Sequence, residues 1–382
     1  MKFGKYKELS LIGSADTIGT IITSIFWLFL ATQIPPSEYG ELWYLIGIAG
    51  TASAFVLLGT QNTITVYSSK NIGIESTLYL ISLLLGVVAS FVIMIMFYRV
   101  DVVLLLFGYV INTLAMGELL GKRSFISYSK HTLIQKILTA GVGLAFFLIF
   151  GVDGVIYALS ISYVFFAIPI YNRFKQTKID LKLLKNRVKF IGNNYVIEIL
   201  TKLNSHLNKF IIVPLLGFGA LGNFSLAVQF VTVGLMFTVI VFKYTVPYDA
   251  RGEENKKLKK ITIIVSVAIA VLGATISPIV IPLFFPEYLD TVDVIRILSF
   301  SIIPVTITKI LTSKLLGQEN SRRILFSKIV SLGTFALTMV VLGQYFGIIG
   351  ISIGYLISTI VESICLISRT ESLNGKSVQK NF

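Results

Sequence analysis

The chain has 382 residues and a formal net charge of +14, yet only 14% of its residues are charged, 55% are hydrophobic and the mean hydropathy is +0.83. A soluble domain carries roughly 25% charged residues, so the composition excludes a string of soluble domains and indicates an all-α, polytopic membrane protein. One cysteine, Cys365, excludes a disulfide framework, and with only two histidines, His131 and His206, no metal centre or other cofactor is expected.

Crossing ~30 Å of hydrocarbon takes about 20 apolar residues. Taken in chain order, such runs lie near 10–33, 41–66, 74–98, 102–120, 131–150 and 152–171. Six more follow near 190–215, 220–246, 260–284, 295–316, 323–345 and 348–368. The first run follows Lys2, Lys5 and Lys7 as a signal peptide would. It is too long for an h-region, contains Asp16 and lacks a small-residue cleavage site, so it reads as a retained helix.

All but six of the 33 Lys and Arg fall at the N-terminus, in the even-numbered connections or in the tail. Of the six, Arg99 and Arg296 are in odd-numbered connections, while Lys136, Lys202, Lys209 and Lys309 lie within spans. Cytoplasmic loops carry the Lys/Arg excess, so the protein is expected in the cell membrane with both termini cytoplasmic. The net charge then reflects topology and attraction to anionic lipid, not nucleic-acid binding. The outer connections are too short to fold a catalytic domain.

Residues 172–189 form the one long connection, basic throughout. From Lys178 to Phe190, apolar residues alternate with Lys182, Lys185, Arg187 and Lys189, a composition that fits a helix lying among lipid headgroups. The domains expected are therefore six-helix bundles over 1–171 and 190–369, the linker 172–189 and a tail 370–382. Tyr39-Gly40 and Leu221-Gly222, 182 residues apart, sit in corresponding outer connections and hint at a duplicated six-helix unit.

The seventh span is the most informative. Asn194, Glu198, Lys202, Ser205 and Lys209 fall within about 80° of helix arc, and Val196, Ile199, Leu200, Leu203, Leu207 and Phe210 lie opposite. Three charges facing lipid would cost about 8–10 kcal/mol, so the stripe must face protein or a water-filled cavity. A self-neutralising Glu198–Lys202 pair at i,i+4 is the simpler reading, but it leaves Lys209 unexplained.

Asp16 shares a face of the first span with Thr20, Thr23 and Trp27. It reads equally as a coupling-ion ligand or proton carrier and as the partner of a lysine from another helix. Lys309 and Lys136 are further cavity cations, unless they snorkel to the nearby interface. Glu118 and Lys122 form an interfacial i,i+4 pair, Glu362 has no partner visible in the sequence, and His206 flanks the stripe. Pro278, Pro282 and Pro304 would allow bends in the ninth and tenth spans.

ATQIPPSEYG at Ala31–Gly40, followed by Glu41-Leu42-Trp43-Tyr44, resembles the first outer loop of the Wzx-type polysaccharide-biosynthesis flippases. These form a branch of the multidrug/oligosaccharidyl-lipid/polysaccharide exporter superfamily. Leu57-Leu58-Gly59-Thr60 through Val66-Tyr67, LLGFGALGNFSLA at Leu215–Ala227 and Val246-Pro247-Tyr248 are similar to the family as well. The resemblance implies a V-shaped pair of six-helix bundles working by alternating access. It implies a substrate too, a polyprenyl-(pyro)phosphate-linked oligosaccharide carried to the outer leaflet. The family's cavity cations map onto Lys202 and Lys209, with Lys309 and Lys136 further from the pattern, and Asn194 and Ser205 could bond sugar hydroxyls. The working unit expected is one chain with membrane lipid around it and H+ or Na+ as coupling ion. The alternatives are a multidrug extruder of the same superfamily working through Asp16 and a membrane-embedded glycan enzyme. The basic cavity disfavours the first, and the absence of a convergent carboxylate or metal constellation disfavours the second.

Overall fold

A computed structural model describes residues 2–70, 72–176, 179–185, 187–249, 253–317 and 321–378. The helices are α1 (Lys2–Ala31), α2 (Pro36–Leu57), α3 (Thr60–Ser69), α4 (Glu75–Phe97), α5 (Val100–Gly121), α6 (Phe125–Phe150) and α7 (Val152–Ile161). There follow α8 (Ala167–Gln176), α9 (Lys182–Lys185), α10 (Val188–Gly234), α11 (Met236–Asp249), α12 (Lys256–Phe284), α13 (Thr291–Gly317) and α14 (Ser321–Val378). Among the described residues ten helical stretches are long and apolar enough to cross a membrane. Two of them pass through a break, at Gly217 in α10 and at Gly347 in α14, which brings the crossings to the twelve read from hydropathy. The protein is a polytopic, all-helical membrane protein.

Two departures from the hydropathy reading matter. The second span is not one helix: Leu58 and Gly59 take left-handed φ of 51° and 69° and separate α2 from α3. The helix expected over Lys178–Phe190 is reduced to the single turn α9 before α10 begins at Val188. Its backbone is claimed elsewhere. The Asp180 N–H donates to Thr77 Oγ1 at 2.9 Å, and Asp180 Oδ1 accepts the Lys182 N–H at 2.8 Å, so the chain enters α9 from a fixed non-helical residue. By contrast α12 and α13 run through Pro278, Pro282 and Pro304 without interruption.

The chain forms two compact units. The first comprises Met1–Trp27 and Leu42–His206, the second Leu28–Glu41 and Leu207–Phe382, so the division passes within α1, α2 and α10. In the first unit α5 is the central helix, with Val102, Leu105, Leu106, Val110 and Leu114 fully buried. Small residues let α3 approach it closely, and Thr65 Oγ1 donates to the Gly117 carbonyl at 3.0 Å. Lipid-facing positions such as Phe91, Ile95 and Met96 of α4 are exposed and apolar, as hydrocarbon requires.

Where the linker meets this unit, a charged cluster is buried. Glu75, at the start of α4, accepts from Ser68 and from Arg173 Nη2 at 2.7 Å. Glu118 of α5 accepts from Tyr79 Oη at 2.5 Å, is paired with Lys122 and lies 3.5 Å from Arg173 Nε. The i,i+4 pair read as interfacial is therefore part of a buried network.

In the second unit α13 is central, with Val294, Leu298, Ser301, Thr306 and Ser313 buried. Thr306 shares a hydrogen bond of 2.9 Å with Thr238, and the Ser313 and Thr245 hydroxyls lie 3.1 Å apart, Thr238 and Thr245 both being on α11. Lys259 of α12 donates to Asp249 Oδ1 at 2.8 Å, and Ser313 donates to Asp249 Oδ2 at 2.5 Å.

The two segments paired in the sequence by their spacing touch each other here. A Cβ on Gly40 would collide with the Phe218 carbonyl, and one on Gly222 would collide with the Pro36 carbonyl. Phe218 and Pro36 are separated by the same 182 residues as Gly222 and Gly40, so the contact is reciprocal, as across a two-fold axis. Beside it, buried Tyr288 donates to the Ile34 carbonyl at 2.9 Å and stacks edge-on against Tyr39. Burial, together with the Tyr39 hydroxyl and the Glu287 and Glu38 carboxylates, raises the Tyr288 phenol well above its ordinary pKa, so it stays a neutral donor.

Candidate substrate site on the seventh span

The stripe lies on α10, and the broken second span positions its first half. Gly59 is required at the break on two counts. Its left-handed φ disfavours a side chain, and a Cβ would collide with the Asn194–Tyr195 backbone of α10. α10 therefore crosses directly over the break, with the Asn194 side chain against Gly59. One turn on, Glu198 comes within electrostatic reach of the Gly59 backbone and of Lys202, a further turn along. Both side chains are half-buried.

The structure thus sets Asn194 against Gly59, with Glu198 and Lys202 on the following turns of the same helix. Ser205 is exposed and donates to the Thr201 carbonyl at 3.0 Å, a bond within its own helix. His206 packs against α2, where a Cβ on Gly50 would collide with its ring. Lys209 is buried at 5% exposure and falls in the second unit, because the division lies between His206 and Leu207.

The other sequence candidates occupy distinct places. The Lys136 stem crosses α1 at Gly19, where a Cβ would come within 2.8 Å of Lys136 Cγ, and its charge is attracted to Asp16. Asp16 keeps both readings, with Lys136 of α6 as the lysine within electrostatic reach. Lys309 lies over the Phe242 ring, 5.0 Å from its centroid, with Lys328, Lys243 and Glu362 as charged neighbours. Glu362 finds a partner in Lys328, at 3.9 Å. Among the described residues no group of three or more His, Cys, Asp or Glu is placed to hold a metal ion.

Sequence reading did not foresee that α10 crosses at Gly59, although the Leu57–Thr60 signature was one of the patches that carried the family resemblance. Nor did it find the Glu75–Arg173–Glu118 cluster. Glu75 and Arg173 are 98 residues apart, and no periodicity links them.

No protein-family profile and no curated protein matches the chain. Solved structures do. The inward-facing conformation of a multidrug resistance MATE family transporter of the MOP superfamily aligns over 95% of this chain and 96% of that one, with 17% identity and a TM-score of 0.69. An outward-facing conformation of such a transporter aligns over 98% and 97%, at 18% identity and a TM-score of 0.67. The lipid II flippase MurJ, in an inward closed conformation, aligns over 94% and 87%, with 12% identity and a TM-score of 0.75. The chain shares the fold of these transporter and flippase structures, and the charges on α10 lie in a helix long and apolar enough to cross a membrane.

Proposed function

We propose that the protein is a Wzx-type flippase moving a polyprenyl-(pyro)phosphate-linked oligosaccharide from the cytoplasmic to the outer leaflet. The observation that carries this reading is the polar stripe of α10, which keeps Lys202 and Lys209 inside a membrane-crossing helix. A lipid-linked phosphate is anionic, and its passage through the bilayer needs cations held where hydrocarbon would otherwise be. Lys202 receives the phosphate, Lys209 continues the cationic path, and Asn194 and Ser205 offer hydrogen bonds to sugar hydroxyls. Lys136 and Lys309 act at the margins, the first through Asp16. The polyprenyl tail stays in lipid while the headgroup crosses. Asp16 is the site at which H+ or Na+ would couple, by loosening its hold on Lys136. The skew of Lys and Arg toward one side supports cytoplasmic termini.

The deciding experiment is leaflet translocation of a fluorescent polyprenyl-pyrophosphoryl sugar in liposomes containing the purified protein. Wild type flips the probe, Lys202→Ala does not although it inserts normally, and Lys202→Arg keeps part of the activity. Wild-type flipping by Lys202→Ala sinks the assignment. If the folded protein does not flip the probe but extrudes a cationic dye down an ion gradient, the function is multidrug extrusion. The role of Asp16 is tested separately: flipping by Asp16→Asn that still responds normally to imposed proton and sodium gradients removes it as the coupling site.

A further inference from the structure

Each unit carries an apolar hollow at the same place in the repeat, and the two differ in depth. On the first unit a depression of about 220 Å³ lies over α4 and α5, lined by Val87, Ser90, Phe91, Met94 and Phe107, none of them buried. Adding the 182 residues that separate Gly40 from Gly222 carries Val87, Ser90, Phe91 and Met94 onto Ile269, Leu272, Gly273 and Ile276 of α12. All four line a cavity of about 240 Å³ on the second unit.

The second hollow is a cleft. Its floor is α13, where Ile295, Ser299 and Ile302 are buried, and α10 adds a wall through Phe230, Val233 and Gly234. Gly273 stands where the first unit has the exposed ring of Phe91, and a Cβ on it would lie 2.5 Å from Ser299 Oγ. The rim residues Val233, Leu272 and Ile276 are exposed. On helices that cross a membrane such side chains meet hydrocarbon, so the cleft between them takes an apolar chain and not water. From Ile269 to Ile281 it follows α12 for about 18 Å, along the half of that helix that leads to the α12–α13 connection. That connection is on the face poor in Lys and Arg, the outer face by charge.

We infer that this cleft seats the isoprenoid chain of the transported lipid in the outer leaflet. The inference rests on the flippase reading and adds a site for the tail to the one proposed for the headgroup. Bulk lipid covers both units, and the shallow first hollow shows how little that contact requires. It does not require a cleft that reaches buried residues in one half alone. The transported lipid differs from bulk lipid in a long branched chain that stays in hydrocarbon while its headgroup changes sides. An open cleft holds such a chain without enclosing it. Within the second unit α10 links the two sites, because buried Lys209 precedes its break at Gly217 and the cleft wall follows it.

The test uses the full chain in phosphatidylcholine–phosphatidylglycerol nanodiscs. The probe is a diazirine-bearing geranylgeranyl pyrophosphate, and a diazirine-bearing phosphatidylcholine is the bulk-lipid control. Mass spectrometry is expected to place the isoprenoid label on α10 and α12 at the cleft in preference to the first hollow. Unlabelled geranylgeranyl pyrophosphate suppresses that labelling, and the phosphatidylcholine probe shows no such preference. Ile276→Trp fills the cleft at its rim and should weaken probe binding about tenfold, the loss of roughly two buried methylenes. In proteoliposomes the same variant slows flipping, whereas Met94→Trp, its counterpart on the first unit, changes neither binding nor flipping. Equal labelling of α4 and α12, or cleft labelling as strong from phosphatidylcholine, in a protein that flips polyprenyl lipid overturns this inference and leaves the flippase reading standing. Normal binding and flipping by folded Ile276→Trp overturns it as well. Preferential cleft labelling in a folded protein that flips no polyprenyl lipid removes the flippase reading and keeps the isoprenoid site. Neither preference nor flipping removes both.

Discussion

The two units bury charge at corresponding places with opposite polarity. In the first unit, carboxylates lie on the spans, Glu75 at the start of α4 and Glu118 near the end of α5, and Arg173 arrives from α8 to meet both. In the second, the lysine lies at the start of its span, Lys259 of α12, and the carboxylate at the end of the one before, Asp249 of α11. Each cluster joins the ends of the second, third and fourth spans of its half, and each fourth span, α5 or α13, is the central helix. What the repeat preserves is therefore the layout of helices and the need to neutralise buried ends, while the residues that meet the need have changed. This accounts for two halves that match in spacing yet share little identity.

The comparison makes its largest prediction at the buried clusters. Arg173→Met leaves the fully buried Glu75 with only the Ser68 hydroxyl, while Glu118 keeps Tyr79 and Lys122, and should destabilise the protein by about 3–5 kcal/mol. Lys259→Met leaves Asp249 with the Ser313 hydroxyl and the more exposed Glu254 with Lys314, and should fall at or below the lower end of that range. Unfolding in detergent monitored by circular dichroism ranks the two. A larger loss for Lys259→Met would show that the clusters are not equivalent in the way the geometry indicates.

The reciprocal glycine contact gives a smaller effect. Gly40→Ala and Gly222→Ala each push a methyl into a carbonyl of the facing segment, an overpacking that costs about 1–3 kcal/mol. If the contact is truly two-fold, the two losses are similar and the double substitution costs less than their sum, because a single separation of the segments relieves both. Gly141→Ala, in open space on α6, should instead be neutral or stabilise by up to about 1 kcal/mol. Strongly unequal losses at Gly40 and Gly222 would break the two-fold reading.

Much of this was legible in the sequence, and the limits have physical causes. Hydropathy reports how much of a segment meets lipid, so it located the twelve crossings. It cannot report neighbours, so the assignment of Leu28–Glu41 to the second unit and of the start of α10 to the first left no trace in it. The α10 stripe was visible because a charge in hydrocarbon is costly wherever its partner lies. What it packs against was not visible: the break at Gly59, which the α10 backbone crosses, has no sequence signature beyond the glycine. Lys136 was placed near the cytoplasmic interface, and the structure adds the attraction to Asp16 on a helix more than a hundred residues earlier. Tertiary proximities of this kind follow no period and appear only once the helices are packed.

The smallest effect sharpens the comparison on the opposite face, where the sequence places only two basic residues in the connections, Arg99 and Arg296. Each is neutralised locally, but to different depths. Arg99 grips the buried Asp101 through two bonds, Nε to Oδ1 at 3.0 Å and Nη2 to Oδ2 at 2.7 Å. Arg296 meets Asp293 through one bond of 2.9 Å, and both side chains are at least half exposed. Water and salt already screen the second pair, so Arg296→Met should cost about 0–1 kcal/mol and the cost should vanish at high ionic strength. Arg99→Met leaves a buried carboxylate without its two donors and should cost about 1.5 kcal/mol, a value that salt barely changes. Measuring both in low and high salt separates a buried pair from a surface one. A salt-insensitive loss at Arg296 would mean that membrane or a neighbouring segment covers a site that is open in the isolated chain.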